Sequence, residues 1–264
     1  MTTTTLPAPR RALLHFAPLF ISFAIAIAYA LPMGVLNVAW GQISTDLQQP
    51  YDRLGVLLTA ALLGRVSMTL FGGQLLARLG LWTCMVIGLT GMTIGFVAYF
   101  SATSWEGLLF AALIAALGNG VMDIGLTLVV VSRYRAGTLN WMHATFGIGL
   151  IIGPLLLTYV NTMGWSWRAA YVLPLIISSA SLVATLITRA EWTLPSSRNA
   201  DGTNKQGASV LATLSHPMVW LWVIVAFFYG GIEVGVGQLS KDMLVSERGV
   251  SAETASGWIS LYWL

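Results

Sequence analysis

Asp123 is where any chemistry in this sequence has to begin. It stands in ALGNGVMDIGLTLVVVSRYR, Ala116 to Arg135, as the one ionisable side chain inside an otherwise apolar stretch that closes on arginines. A carboxylate near a bilayer centre is unfavourable by about 2.5–3.5 kcal/mol on insertion scales, so such a residue faces a bundle interior or a water-filled cavity. There it can take up a proton or hold a polar solute. The competing reading is a structural hydrogen bond to a neighbouring helix. Asn119, Asp123 and Thr127 recur every four residues and so form one stripe on a helix. Gly118, Gly120 and Gly125 beside that stripe leave room for close helix contact or for a solute.

Other polar groups lie within apolar stretches. Arg65, in LLTAALLGRVSMTLF, needs a carboxylate or exposed carbonyls within reach, and Asp123 at similar depth is a candidate partner. Glu233 lies in WVIVAFFYGGIEVGVGQL with Tyr229 and Gly237 four residues to either side. Its face corresponds to that of Met33, Asn37 and Gly41 near the start of the chain. Trp40 and Tyr29, on the same early stretch, are candidates for stacking on an apolar solute face, with interfacial or packing roles as the alternative. His143 falls near a helix end, where a solvated histidine is the simpler reading.

These groups must be positioned by membrane helices. The chain has 264 residues, 56% hydrophobic and 9% charged, against roughly 45–50% and 25% for soluble domains. An all-α polytopic membrane protein is therefore expected. Cys84 is the single cysteine, which excludes an intrachain disulfide, and His15, His143 and His216 are too scattered for a ligand motif. No metal or other cofactor is implied. There is no phosphate-binding glycine loop and no nucleophile–base motif, so the reading is not an enzyme. The net charge of +3 distributes as a topology signal, not as a nucleic-acid surface.

Apolar stretches of about 20 residues span a bilayer. By that rule segments are expected at 15-42, 54-77, 81-101, 106-132, 141-161, 168-188 and 214-240, with an eighth beginning near 252. A cytoplasmic N-terminus puts Arg10, Arg11, Arg78, Arg133, Arg135, Arg189, Arg198 and Lys205 inside and Arg53, Arg168, Lys241 and Arg248 outside. The positive-inside rule favours that orientation. Trp105, Trp165, Trp167, Trp192 and Tyr51 lie near segment ends and read as an interfacial belt.

The stretch 189-213, rich in Ser, Thr, Asn and Gly with Pro195, reads as a cytoplasmic linker after a six-helix bundle at 15-188, itself preceded by a tail at 1-14. Residues 214-264 read as the start of a second bundle. An internal repeat supports the division: GVLNVAWGQISTD from Gly34 aligns with GGIEVGVGQLSKD from Gly230, with Asn37 meeting Glu233. Parallel repeats of six spans assemble one large transporter architecture. On that expectation the chain is a truncated fragment, and alone it should not transport.

Two features resemble the major facilitator superfamily. After the second segment, Gly73, Arg78 and Gly80 match that family's loop motif, while Ala77 holds its acidic position and Trp82 and Thr83 replace its basic tail. GNGVMDIGLT, HATFGIGLIIGP, FFYGGIEVGVGQ and RGVSAETASGWISLYW are similar to the fucose-permease-like branch. Gly149, Gly153 and Pro154 also resemble part of the superfamily's antiporter motif. The resemblance implies a proton-coupled transporter of a small polar solute, sugar-like in type, working by alternating access in the plasma (inner) membrane, a monomer when full length. Asp123 and Glu233 would handle protons. Asn37, Asn119, Thr127, Tyr229 and Trp40 would contact solute, and Arg65 would be the charge partner. A drug or metabolite exporter of the same superfamily, or a non-transporting membrane sensor on the same fold, stays open.

Overall fold

In lipid every backbone polar group must be satisfied within its own segment, which for single spans means a helix. The computed structural model, describing residues 9–193 and 214–264, is helical throughout, with no strand among the described residues. The helices are α1 (Pro9–Asp46), α2 (Arg53–Leu79), α3 (Leu81–Ser101), α4 (Trp105–Arg133), α5 (Ala136–Thr162), α6 (Val172–Ile187), α7 (Pro217–Arg248) and α8 (Ala252–Tyr262). Single 3-10 turns lie at Trp167–Tyr171 and Arg189–Glu191. Among the described residues seven helical stretches are long and apolar enough to cross a membrane, the sixth being Trp167–Ile187, and α8, at 11 residues, is too short. The chain is a multi-pass integral membrane protein. Residues 1–8 and 194–213, which hold most of the expected tail and linker including Pro195, Arg198 and Lys205, lie outside the described residues.

Local signals set the helix ends. Ser104 accepts from the Gly107 amide at 3.1 Å and starts α4, and Ser251 accepts from the Thr254 amide at 3.2 Å and starts α8. Gly80, at φ 78°, lets α3 begin one residue after α2 stops. Gly249 closes α7 in the left-handed region.

The main packing pairs are α3 on α4, α1 on α5 and α2 on α4. Small residues permit the closest of these, as expected where lipid offers no hydrophobic drive between helices. A Cβ on Gly153 of α5 would lie 2.5 Å from the Gly34 carbonyl carbon on α1, and one on Gly118 of α4 would lie 2.5 Å from the Met92 nitrogen on α3. Of the first six helices, α6 rests on α3 and on α1. The seventh meets α1 and the start of α2 from Val234 to Asp242, and α8 rests on α5.

Contacts sort the helix ends into two groups. At one end Arg168 pairs with Asp46 at 2.8 Å, and the Trp167 indole donates to the same carboxylate at 3.2 Å. At the other, the Trp82 indole donates to the Thr185 carbonyl at 3.1 Å and lies under the Arg189 guanidinium. Trp82, standing where the resembled loop motif has charge, thus ties the start of α3 to the end of α6. The interfacial belt needs correction. Trp105, Trp167 and Trp192 are buried, since their rings fill gaps between helix ends; only Trp165 and Tyr51 of that set are exposed.

Candidate functional site

The polar groups singled out in the sequence separate into three places. The first lies between α2 and α4. Glycine at 120 lets α4 approach until a Cβ there would stand 2.6 Å from the Arg65 carbonyl oxygen. That approach brings the Arg65 side chain over Asp123. Arg65 Nε lies 2.8 Å and Nη2 2.6 Å from the same oxygen, Asp123 Oδ2. Among the described residues Arg65 Nη1 and Asp123 Oδ1 have no hydrogen-bond partner. The pair is 45% and 32% exposed, facing an open cavity of about 720 Å³. Thr69 and Thr127 add hydroxyls to its lining, and Leu62, Val66, Ile124 and Leu128 add apolar surface.

Tyr29 of α1 carries this pair from behind. Its ring centre lies 5.2 Å from the Arg65 guanidinium carbon and 5.4 Å from the Phe146 ring of α5, a cation–π arrangement. Four helices therefore contribute to one row of side chains, Phe146, Tyr29, Arg65 and Asp123. Asn119, one turn before Asp123, is buried at 9% exposure, and its Oδ1 has no hydrogen-bond partner among the described residues. The stripe of Asn119, Asp123 and Thr127 is thus split by depth: the amide sits behind the cavity and the other two line it.

The second place joins α1, α7 and α8. Asn37 is buried with its Nδ2 3.4 Å from where a Cβ on Gly237 would stand, a position also crowded by Trp263. Glu233 and Tyr229 line a separate cavity of about 360 Å³ with Ile232, Tyr262 and Trp263. The Tyr262 hydroxyl donates to the Glu233 carbonyl oxygen at 3.3 Å. No residue of α7 lines the Asp123 cavity, so the structure does not bring Glu233 and Asp123 into one pocket.

Trp40 belongs to neither place. It is 1% exposed, donates from its indole nitrogen to the Tyr51 carbonyl at 2.8 Å, and meets Trp105 and Tyr51 edge-on. With both ring faces inside the core at a helix end, it has no surface for a solute, and the stacking role expected for it is withdrawn.

The third place was not visible as a unit in the sequence. At the end that holds Asp46, the Tyr51 hydroxyl donates to the Asp242 carboxylate, and the Lys241 ammonium, 7% exposed, donates to the Val38 carbonyl oxygen. Gly41 leaves space for Asp242, whose Oδ1 would lie 3.5 Å from a Cβ there. Burial pushes the Tyr51 phenol well above its ordinary range, and the bond it gives to Asp242 adds to that. Burial holds the Lys241 ammonium below the usual lysine range, with the Asp242 charge opposing. These contacts latch α7 to α1 and to the loop that leads from α1 into α2. In the sequence Lys241 and Asp242 read as loop charges and Tyr51 as part of the interfacial belt, and the repeat that aligns Asp46 with Asp242 was the signal that pointed to both helix ends.

The family model of the Major Facilitator Superfamily matches residues 18–264. No curated protein matches the sequence. Among solved structures, the peptide transporter POT in complex with sulfate is similar with a TM-score of 0.56 and 17% identity, over 94% of this chain and 49% of that one. A glutamate-to-glutamine mutant of that transporter, also with sulfate, gives 0.55 and 16%, over 94% and 48%. The chain spans about half the length of these solved structures, and the likeness is one of fold.

Proposed function

The chain belongs to the Major Facilitator Superfamily, and from that premise we propose that it works in a proton-coupled transporter of a small polar solute, sugar-like in type, by alternating access. The observation that carries this reading is the Arg65–Asp123 pair, an ionised couple on two spans facing a cavity and holding each other through one oxygen only. Intramembrane charges of this kind mark solute and ion pathways. Asp123 is the proton-handling group and Arg65 its charge partner. Thr127 contacts solute, and Asn119 supports the stripe from behind.

In this proposal the first bundle runs over 15-188, the linker over 189-213, and α7 and α8 belong to a second bundle. Asn37, Glu233 and Tyr229 lie where the repeats meet, and they supply polar contacts on the far wall when the bundles rock. The latch of Tyr51, Asp242, Lys241 and Val38 supports alternating access, because it closes the α1–α7 seam at one end. The N-terminus is cytoplasmic and the membrane is the inner, or plasma, membrane.

The test is solute uptake into proteoliposomes under an imposed proton gradient. It uses a panel of sugars, sugar acids and peptides and the complete coding sequence, including any frame that continues past Leu264. Gradient-driven accumulation of one solute class is expected. Absence of flux for every member, with the protein folded and inserted, would remove the transport reading and favour a sensor.

A further inference from the structure

We propose that one end of the α3–α6 seam is a binding site for an anionic phospholipid, with Arg189 holding the headgroup phosphate and the apolar face of α6 beside it holding the acyl chains.

Charge separates the two ends of the helices. The end where α2, α4 and α6 stop and α3 and α5 start carries Arg78, Arg133, Arg135 and Arg189 against Glu191 among the described residues. The opposite end carries Asp46, Asp52, Glu106 and Asp242. An excess of arginine at one membrane surface draws acidic lipids to that leaflet. Attraction of that kind is diffuse, but Arg189 is held in a way that makes a defined site. Its side chain is exposed, and its guanidinium carbon lies 4.4 Å from the centre of the Trp82 ring, a cation–π distance.

Trp82 is itself fixed, because its indole N–H goes to the Thr185 carbonyl at 3.1 Å. A belt tryptophan sits with its polar edge at headgroup level; this one spends its N–H on α6 and offers a ring face to a cation. The guanidinium is therefore positioned before a ligand arrives. No carboxylate competes for it. The ion pairs among the described residues join Arg65 to Asp123 and Arg168 to Asp46, and Glu191 makes none with Arg189. The stretch from Gly72 to Thr83 has no acid, with Ala77 at the position where the resembled loop motif has one.

One turn and a half back from Arg189, toward the middle of α6, Val183, Leu186 and Ile187 are exposed, the last at 76%. A ligand on this surface must be anionic at Arg189 and apolar along α6. A soluble phosphate lacks the apolar part, and a zwitterionic phospholipid lacks the net charge. An anionic phospholipid such as phosphatidylglycerol has both.

The test is lipid binding to the 264-residue chain by native mass spectrometry from detergent micelles. Dioleoyl phosphatidylglycerol is the probe, dioleoyl phosphatidylcholine its zwitterionic counterpart and glycerol 3-phosphate the soluble competitor. Expected is one phosphatidylglycerol held at least about fivefold more tightly than phosphatidylcholine and not displaced by glycerol 3-phosphate. Arg189→Gln should abolish that preference. Arg135→Gln, the same loss of charge at the same end, should leave it within about twofold, with helix content equal in both variants. Equal binding of the two lipids, equal loss in Arg189→Gln and Arg135→Gln, or displacement by glycerol 3-phosphate would each overturn the proposal, the second by showing diffuse attraction and the third by showing a free-anion site.

Discussion

Asp123 of α4 holds Arg65 of α2 through a single carboxylate oxygen, with Nη2 at 2.6 Å and Nε at 2.8 Å from Oδ2. Removing either partner leaves the other as an unpaired charge at membrane depth, while removing both leaves none. Arg65→Gln and Asp123→Asn alone are each expected to lower stability by about 1–2 kcal/mol, a figure reduced for the exposure of the pair, and the double substitution to recover most of that. Thermal midpoints of the four proteins in one detergent give the coupling. A double variant no more stable than the sum of the singles would count against the pair.

Close approach of α1 and α5 depends on Gly34 and Gly153, where an added Cβ would lie 2.6 Å or less from backbone atoms of the facing helix. Backbone cannot move aside as a flexible side chain can. Gly153→Val is expected to cost about 1–3 kcal/mol or to prevent insertion of a folded chain. Gly55→Val, at a site where an added Cβ meets nothing within 4 Å, should be near neutral. Monodispersity after heating distinguishes them, and equal behaviour of the two would refute the packing account.

Trp40 gives a prediction of the opposite kind. Because it is enclosed by Tyr51 and Trp105, Trp40→Ala should destabilise by about 3–5 kcal/mol. Trp40→Phe, which keeps the ring but not the indole donor, should retain solute affinity unchanged. A solute-binding defect in a fully folded Trp40→Phe protein would return this residue to the site.

The seam between α1 and α7 should open if access alternates. In a Cys84→Ser background, Tyr51→Cys combined with Asp242→Cys should be joined by a short bifunctional thiol reagent, since the native side chains touch. Flux in the complete protein should then stop and return when a cleavable linker is reduced. Undiminished flux through the linked protein would mean the seam does not move.

Much of this arrangement was legible because membrane helices leave few alternatives. Length and apolarity located the seven spans, and one acid among apolar residues located Asp123. Similar depth made Asp123 a candidate partner for Arg65, and the contact itself came from the structure. The misreadings share a physical origin: a helix-end aromatic looks the same in sequence whether it meets headgroups, like Trp165, or fills a gap between helices, like Trp105 and Trp167. Trp40 looked like cavity lining for the same reason. Spacing also gave Asn119 the same face as Asp123 but not the same depth, because depth depends on how near α2 and α3 come to α4. Contacts between distant stretches, such as Tyr51 with Asp242, left only the faint trace of an internal repeat.

The role of Asp123 is tested most directly by comparing accumulation with exchange in the complete protein carrying Asp123→Asn. A neutral side chain at 123 mimics the protonated state permanently, so the bundles can still rock with solute bound but cannot return after giving up a proton. Solute exchange across a loaded membrane is expected to persist while accumulation driven by a pH gradient is lost. Gradient-driven accumulation at the unmodified rate in Asp123→Asn would contradict the account.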